Sequence, residues 1–257
     1  MFRCLECENE LILSETNLSC NNCHEKYKFD RENNIYSIVK PQQTELIESV
    51  NFDWNEHWKD TDSAFHKLKQ FMRIYMSGLV LKKALIPFLD GKDKVFLEAG
   101  SGLSETSSIL NFSRNIYISL DISNVALQKN INKQIKLQGD LFNIPVLPEK
   151  IDYIFNVGVH EHYTDEQNRE ILTEFHRVLN EGGKIILLWP LYYGPLMVLA
   201  KVINWVLTLL LKRKFEIWPN QVNEIRSLKY TDNLISKSGF QKLNSFMSIY
   251  DLFSTQV

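Results

Sequence analysis

Polar and apolar residues alternate along the first forty positions, in "ELILSETNLSC" and "KYKFDRENNIYSIV", as in short half-buried strands. Residues 40–50, "KPQQTELIESV", are polar and read as a linker. Apolar residues then recur at a helical period (Ala64, Phe65, Leu68, Phe71, Met72, Tyr75, Met76, Leu79), predicting a long helix over 62–85 that stops before Pro87. This helix is expected to pack on the core, and the aromatic stretch 53–58 is a candidate to close over an active site. From Lys94 onward, short apolar runs at 95–98, 116–121, 135–139, 151–157 and 184–189 are separated by helical stretches, notably 165–179. Such alternation predicts βαβ units and a mostly parallel sheet, an α/β fold.

A last segment breaks this pattern. In "YYGPLMVLAKVINWVLTLLLKRK" Pro195 suits a first helical turn. From Leu196 to Leu211 the polar side chains are Lys201, Asn204 and Thr208, on one helical stripe that Lys212 extends. A spanning helix needs about 20 apolar residues and rarely carries such a stripe, so no transmembrane span is expected. The alternatives are a cap lining an acceptor pocket and a helix lying on an anionic membrane surface through 195–214. Both favour an apolar or lipid-linked acceptor. The expected division is 1–40, a metal module; 41–92, linker and cap helices; and 93–257, the core, with a helical insertion at about 191–228.

Composition narrows the partners. The 257 residues are 44% hydrophobic and 23% charged, with a formal net charge of -2, so a broadly basic nucleic-acid surface is absent. No apolar stretch follows a positive N-terminus, which argues against a secretory signal and for the cytoplasm. All four cysteines fall in two CxxC pairs, Cys4/Cys7 and Cys20/Cys23. That spacing suits one tetrahedral zinc held by four thiolates, with a structural role because no coordination position is left open; the alternative is two disulfides or free thiols. His24 follows the last cysteine and is not needed for the set.

The stretch "FLEAGSGLSETSSIL" places glycines at the end of the first core strand, where ligands of doubly wound sheets bind. Glu105 stands where a dinucleotide fingerprint needs its third glycine, and the Lys-Ser/Thr pair of a phosphate loop is missing. Glu98 and Glu105 are also ill placed beside phosphate. A cationic cofactor without phosphate fits better: Glu98 can face an ammonium or hold the loop. Here the chain resembles the class I S-adenosylmethionine-dependent methyltransferases (methyltransferase type 11-like), whose first motif is an acidic residue followed by xGxGxG. Ser104 replaces the third glycine. By this resemblance Glu98, Gly100, Ser101 and Gly102 form the cofactor loop. Asp121, with Ile122 beside it, meets the ribose hydroxyls; Asp140 and Leu141 in "LQGDLFNIPV" meet the adenine. Asn156 in "IDYIFNVGVHEHY" lies near the cofactor. The N-terminal segment resembles the zinc ribbons found on some methyltransferases. The family's sheet ends in an antiparallel hairpin, which leaves only "DLFSTQV" for a short or displaced seventh strand.

Methyl transfer to a hydroxyl or amine also needs a proton removed, and His160 and His162 are the candidates, with His57 a third; the alternative for each is a local hydrogen bond. Three functions follow as expectations. The preferred one is methylation of a small, apolar or lipid-linked acceptor by a cytoplasmic enzyme, peripheral to the inner face of the membrane if the 195–214 helix touches it. The others are an RNA methyltransferase whose ribbon grips rRNA or tRNA, and a non-catalytic binding module.

Overall fold

The computed structural model describes residues 1–15, 17–40, 53–59, 61, 66–67, 70–71, 73–190, 195–212, 228–241, 243–247 and 252–256. Four N-terminal strands come first: β1 (Leu11–Leu13), β2 (Asn17–Cys20), β3 (Lys26–Asp30) and β4 (Ile35–Ser37). A short helix α1 (Trp54–His57) and the helix α2 (Gly78–Leu89) precede the core. The core strands are β5 (Val95–Ala99), β6 (Ile116–Asp121), β7 (Ile135–Gln138), β8 (Ile151–Val157) and β9 (Leu179–Pro190). They alternate with α3 (Asn124–Lys129) and α4 (Asp165–Val178). Then come α5 (Pro195–Leu211), α6 (Leu228–Lys237), β10 (Asn244–Met247) and β11 (Leu252–Gln256).

All eleven strands form one sheet in the order β1-β2-β3-β4-β7-β6-β5-β8-β9-β11-β10. The chain moves one way from β5 to β6 and β7, then returns to the other side of β5 with β8 and β9. The reversal puts a switch point between the carboxyl ends of β5 and β8. Strands β4 through β9 pair in parallel, and β11 runs antiparallel to β9 from Ile186 to Pro190. The final strand is thus a full partner inserted between β9 and β10.

The strands of the parallel region are apolar on both faces because helices or loops cover both. One face carries Leu97, Ala99, Ile118, Ile154, Trp189 and Phe175 of α4. The other carries Phe96, Tyr117, Phe155, Ile186 and the α2 residues Leu81 and Leu85. Helix α4 begins in a capping box between Thr164 and Gln167. Tyr230 Oη donates to Asp165 Oδ1 (2.6 Å), which ties α6 to it.

Several expectations are corrected here. The helix predicted to stop before Pro87 continues to Leu89 with Pro87 inside it. Phe88 and Leu89 pack against the apolar cluster beyond it, which offsets the backbone bond that proline forfeits in the last turn. A π-helical turn, Arg73–Ser77, precedes α2; positions 62–65, 68–69 and 72 of the predicted helix lie outside the described residues. The glycine loop is followed by a short 3-10 turn, Thr106–Ile109, and not by an α-helix. Its serines sit close to local carbonyls: Ser108 Oγ donates to Glu105 O (2.6 Å) and Ser107 Oγ lies 3.1 Å from Ser104 O. Such side chains compete with helical backbone bonds.

The cysteine module is not a bead on a linker. Strand β4 pairs in parallel with β7, and Ile38 N extends that ladder to Gln138 O (2.9 Å). On the other flank Arg3 N donates to Pro145 O (3.1 Å) and Leu147 N to Met1 O (3.0 Å). The buried Arg3 guanidinium reaches Asn143 Oδ1 and Ile144 O and sits near Glu174. Ile38 is fully buried within the same apolar cluster as Leu97 and Ile118. Truncating it, Ile38→Ala, is expected to cost about 2–5 kcal/mol. Because the module and core share one sheet, urea unfolding should stay a single shifted transition. Two separate transitions, with only the first one moved, would contradict the shared-sheet account.

Candidate functional site

The glycine loop leaves β5 at the switch point. Gly100 (φ +68) and Gly102 (φ +49) both lie in the left-handed region that side chains disfavour. A Cβ at Gly100 would meet Val159 Cγ2 at 2.6 Å; one at Gly102 would meet Trp58 Cζ2 at 2.8 Å. Ser104 also has φ +55, which accounts for a glycine at this place in the motif. It is held there by its hydroxyl, which donates to Glu98 Oε2 (2.6 Å) and receives Asn130 Nδ2 (2.8 Å). The serine is therefore a strained position with its own brace.

Glu98 does not turn towards the loop opening. Alternation along β5 sends it to the face of Phe96, where Ser104 Oγ, Ser107 Oγ and Tyr117 Oη all donate to its Oε2. Burial raises its pKa to about 7 against the pull of those donors. Of its two expected roles, facing an ammonium or holding the loop, it holds the loop. Glu105 is likewise turned away: its buried carboxylate meets Arg73 Nη1 (2.8 Å) and His66 Nε2 (3.4 Å). Contrary to the expectation from their spacing, neither carboxylate is placed to repel a phosphate in the loop.

Asp121 closes β6 next to the loop. Its Oδ2 accepts from Gly102 N (2.7 Å) and its Oδ1 from Ser123 N (2.9 Å). A carboxylate accepts about four hydrogen bonds, so capacity remains for two hydroxyls. Burial raises its pKa. Ile122, half-buried, gives its carbonyl to Gln138 Nε2 (3.1 Å). Ser101 N donates to Leu120 O (2.9 Å). Asp140 follows β7, is half-buried with its pKa raised by desolvation, and accepts from Phe142 N (3.0 Å); Leu141 beside it is buried. Asn156, near the end of β8, is fully buried, and neither atom of its amide has a hydrogen-bond partner. A buried orphan amide at the switch point is a group that a polar ligand would satisfy.

The three histidines differ in setting. Asn168 Nδ2 donates to the carbonyls of His160 (3.0 Å) and Tyr163 (3.2 Å), which turns its Oδ1 to His160 Nδ1 (2.6 Å). His160 is thereby protonated on Nδ1, with its Nε2 lone pair buried and unpaired. It stacks on Trp189 at 5.1 Å, and desolvation lowers its pKa to about 4. His162 is half-buried and meets the edge of Trp54 at 5.0 Å. His57 contacts the rings of Trp54 and Trp58.

These contacts place α1 over the loop. Asp53 caps α1 through Glu56 N (3.0 Å), Ser123 Oγ donates to Asn55 Oδ1 (2.8 Å), and Trp58 covers Gly102. Lys129 Nζ of α3 holds the exit by bonding Trp58 O (2.9 Å) and Lys59 O (2.6 Å). Arg73 lies 5.3 Å from the Trp58 ring. The stretch 53–58 thus lies over the loop, while α2 packs on the core as expected. Sequence reasoning singled out Trp58 as one of three aromatics but missed Asn130, which gives no motif or spacing to find it by. Asn130 Nδ2 also holds Gly102 O (2.7 Å).

The four cysteine sulfurs lie within 4.8 Å of one another, with Cys4–Cys23 at 3.5 Å and Cys7–Cys20 at 3.3 Å. These distances far exceed a disulfide bond and approach the roughly 3.8 Å edge of a tetrahedron with Zn–S of about 2.3 Å. Each pair closes a matching knuckle. Glu8 N donates to Cys4 O and His24 N to Cys20 O, both at 3.0 Å, with φ +63 at Glu8 and at His24. His24 is thus an exposed turn residue outside the sulfur set. The donor chemistry and geometry fit a zinc ion.

A glycine loop at the switch point, an acidic residue ending the next strand and an aromatic cover define a nucleoside-cofactor site on a doubly wound sheet. Comparison with known proteins narrows the class. Residues 97–187 match the family described as "Methyltransferase domain". Malonyl-[acyl-carrier protein] O-methyltransferase of Hamiltonella defensa is 31% identical over 61% of this chain and 59% of its own length. An uncharacterized methyltransferase of Geobacillus kaustophilus is 31% identical over 38% of the chain and 47% of its own length. The chain thus spans about half of each of these relatives. Among solved structures, magnesium protoporphyrin IX methyltransferase from Synechocystis PCC 6803, with bound S-adenosylhomocysteine, superposes with a TM-score of 0.57 at 15% identity. That match covers 85% of this chain and 98% of the other. A S-adenosylmethionine-dependent methyltransferase from Aquifex aeolicus gives 0.52 at 15% identity, over 80% and 98%. Residues 97–187 thus match a methyltransferase domain, the fold is similar to that of S-adenosylmethionine-dependent methyltransferases, and four clustered cysteines stand near the N-terminus.

The Glu98 brace makes a pH prediction. Its folded pKa lies above the value of a free carboxyl, so the folded state binds the extra proton. That contribution is complete below about pH 4.5 and is lost as pH rises through about 7. Glu98→Gln keeps an acceptor for the hydroxyls and cannot ionise. Urea titrations from pH 5 to 8 should show the parent losing more stability than the variant as pH rises. Parallel curves for the two proteins would remove Glu98 from this role.

Proposed function

We propose that the chain transfers a methyl group from S-adenosylmethionine to a small-molecule acceptor, apolar or lipid-linked, and that Cys4, Cys7, Cys20 and Cys23 hold a structural zinc. The observation that carries the reading is the braced glycine loop at the switch point, inside a matched methyltransferase domain. When bound, S-adenosylmethionine would supply a sulfonium methyl, which the acceptor atom would take in line as the neutral thioether S-adenosylhomocysteine leaves. Positioning and exclusion of water supply much of the acceleration in such a reaction. Gly100, Ser101 and Gly102 let the backbone approach the cofactor. Asp121 takes ribose hydroxyls on its remaining lone pairs, with Ile122 alongside; Asp140 and Leu141 bound the adenine side, and the orphan amide of Asn156 faces the same pocket. Trp58 closes the loop from above.

His162 is the better proton acceptor of the two candidate histidines. It lies beside the Trp54–Trp58 cover, with His57 on the cover itself, whereas His160 is sealed under Trp189. His160 then acts as a positioning residue through its bond to Asn168. For the acceptor, the net charge of -2 speaks against RNA, and a relative's name points to a malonyl group on a carrier protein, an oxygen acceptor that is not a nucleic acid.

Two measurements test this. Incubation with methyl-labelled S-adenosylmethionine and a cell extract should label the small-molecule or lipid fraction and leave RNA unlabelled. Label in RNA alone would reverse the acceptor assignment, and no label in any fraction would return the chain to a binding role. Metal analysis of the purified protein should find a single zinc per chain. Cys20→Ser should lose it and melt at a lower temperature; zinc-free parent protein of unchanged melting temperature would refute the structural zinc.

A further inference from the structure

Helix α5 faces the wrong way for a helix folded onto its own core. Val198, Val202, Trp205, Val206, Leu209 and Leu210 follow the spacing of one helical face, and all are exposed, Trp205 to 68%, Leu209 to 66% and Leu210 to 70%. The opposite side carries Asn204 and Thr208, half-buried, and both make polar or electrostatic contacts. Among the described elements none packs extensively against α5. A contiguous exposed apolar face of this kind marks an interaction site.

Charge selects the occupant. Between Glu181 and Glu216 the sequence contains Lys184, Lys201, Lys212, Arg213 and Lys214 and no acidic residue. Lys212, directly after the helix, is exposed. A second copy of the chain would bring the same excess of basic residues to the contact. A pocketed acceptor needs a concave wall, and this face is the convex side of a helix. An anionic bilayer supplies both an apolar layer and negative headgroups. Seventeen residues span about 25 Å, less than the roughly 30 Å hydrocarbon layer. Among the described residues no helix is long and apolar enough to cross a membrane.

We infer that α5 docks the protein on an anionic membrane surface, lying in the interface plane with Trp205, Leu209 and Leu210 immersed and Lys212 against the headgroups. The inference goes beyond the proposed methyl transfer and does not depend on it.

The test uses the full zinc-loaded chain and two vesicle types, mixed phosphatidylglycerol–phosphatidylcholine and pure phosphatidylcholine. Cosedimentation should show at least ~10-fold stronger partition to the anionic vesicles, falling as salt is raised. Leu209→Glu/Leu210→Glu should lose ~10-fold or more of that partition at an unchanged melting temperature, since both side chains already face solvent. Lys212→Glu should lose several-fold, and a vesicle-induced blue shift of fluorescence should shrink in Trp205→Phe. Equal partition to both vesicle types, or to neither, would overturn the inference. So would a concentration-dependent dimer, by sedimentation velocity, that the Glu variants abolish without vesicle binding in the parent.

Discussion

The bond from Gly102 N to the Asp121 carboxylate is the contact on which the site depends. Two glycines and Ser104 hold the loop in left-handed backbone, a conformation that costs free energy unless neighbours fix it. Asp121 fixes one end, and Glu98, through the Ser104 hydroxyl, fixes the other. Both carboxylates are buried, come from adjacent parallel strands, and are placed by one register in which Glu98 lies beside Ser119 and Ala99 beside Leu120. A shift of that register by one residue would send Glu98 to the opposite face and dissolve the brace. The cover depends on the same construction, because Trp58 can seat on the loop only where residue 102 has no side chain.

The four-cysteine module gains its place from the same sheet. Its last strand adds to β7, and its first residues clasp the 143–147 segment that follows Asp140. A metal that holds the knuckles would thereby stiffen the edge of the sheet beside Asp140. Among the described elements none packs extensively against α5, whose apolar face is exposed.

Much of this was legible in the chain. The strand at 116–121 ends at Asp121 as its apolar run predicts, and Pro195 does open the helix that follows the fifth core strand. The paired CxxC spacing foretold four clustered sulfurs. What sequence could not convey was side-chain direction. Glu98 and Glu105 look from their spacing like groups around a ligand, yet strand alternation buries the first among hydroxyls and an arginine from outside the core claims the second. His160 and His162 are two residues apart and equal in sequence; the local 3-10 turn seals one beneath Trp189 and presents the other to Trp54. The parallel addition of β4 to β7 joins segments a hundred residues apart, and no local pattern announces it.

Calorimetric titration of the purified full chain with S-adenosylmethionine, beside a parallel titration with a nicotinamide dinucleotide, tests the central claim most directly. The account predicts single-site binding of S-adenosylmethionine and of S-adenosylhomocysteine, lost when a methyl is added at the loop in Gly100→Ala, and no heat with the dinucleotide. Dinucleotide binding in its place, or S-adenosylmethionine affinity unchanged in Gly100→Ala, would contradict it.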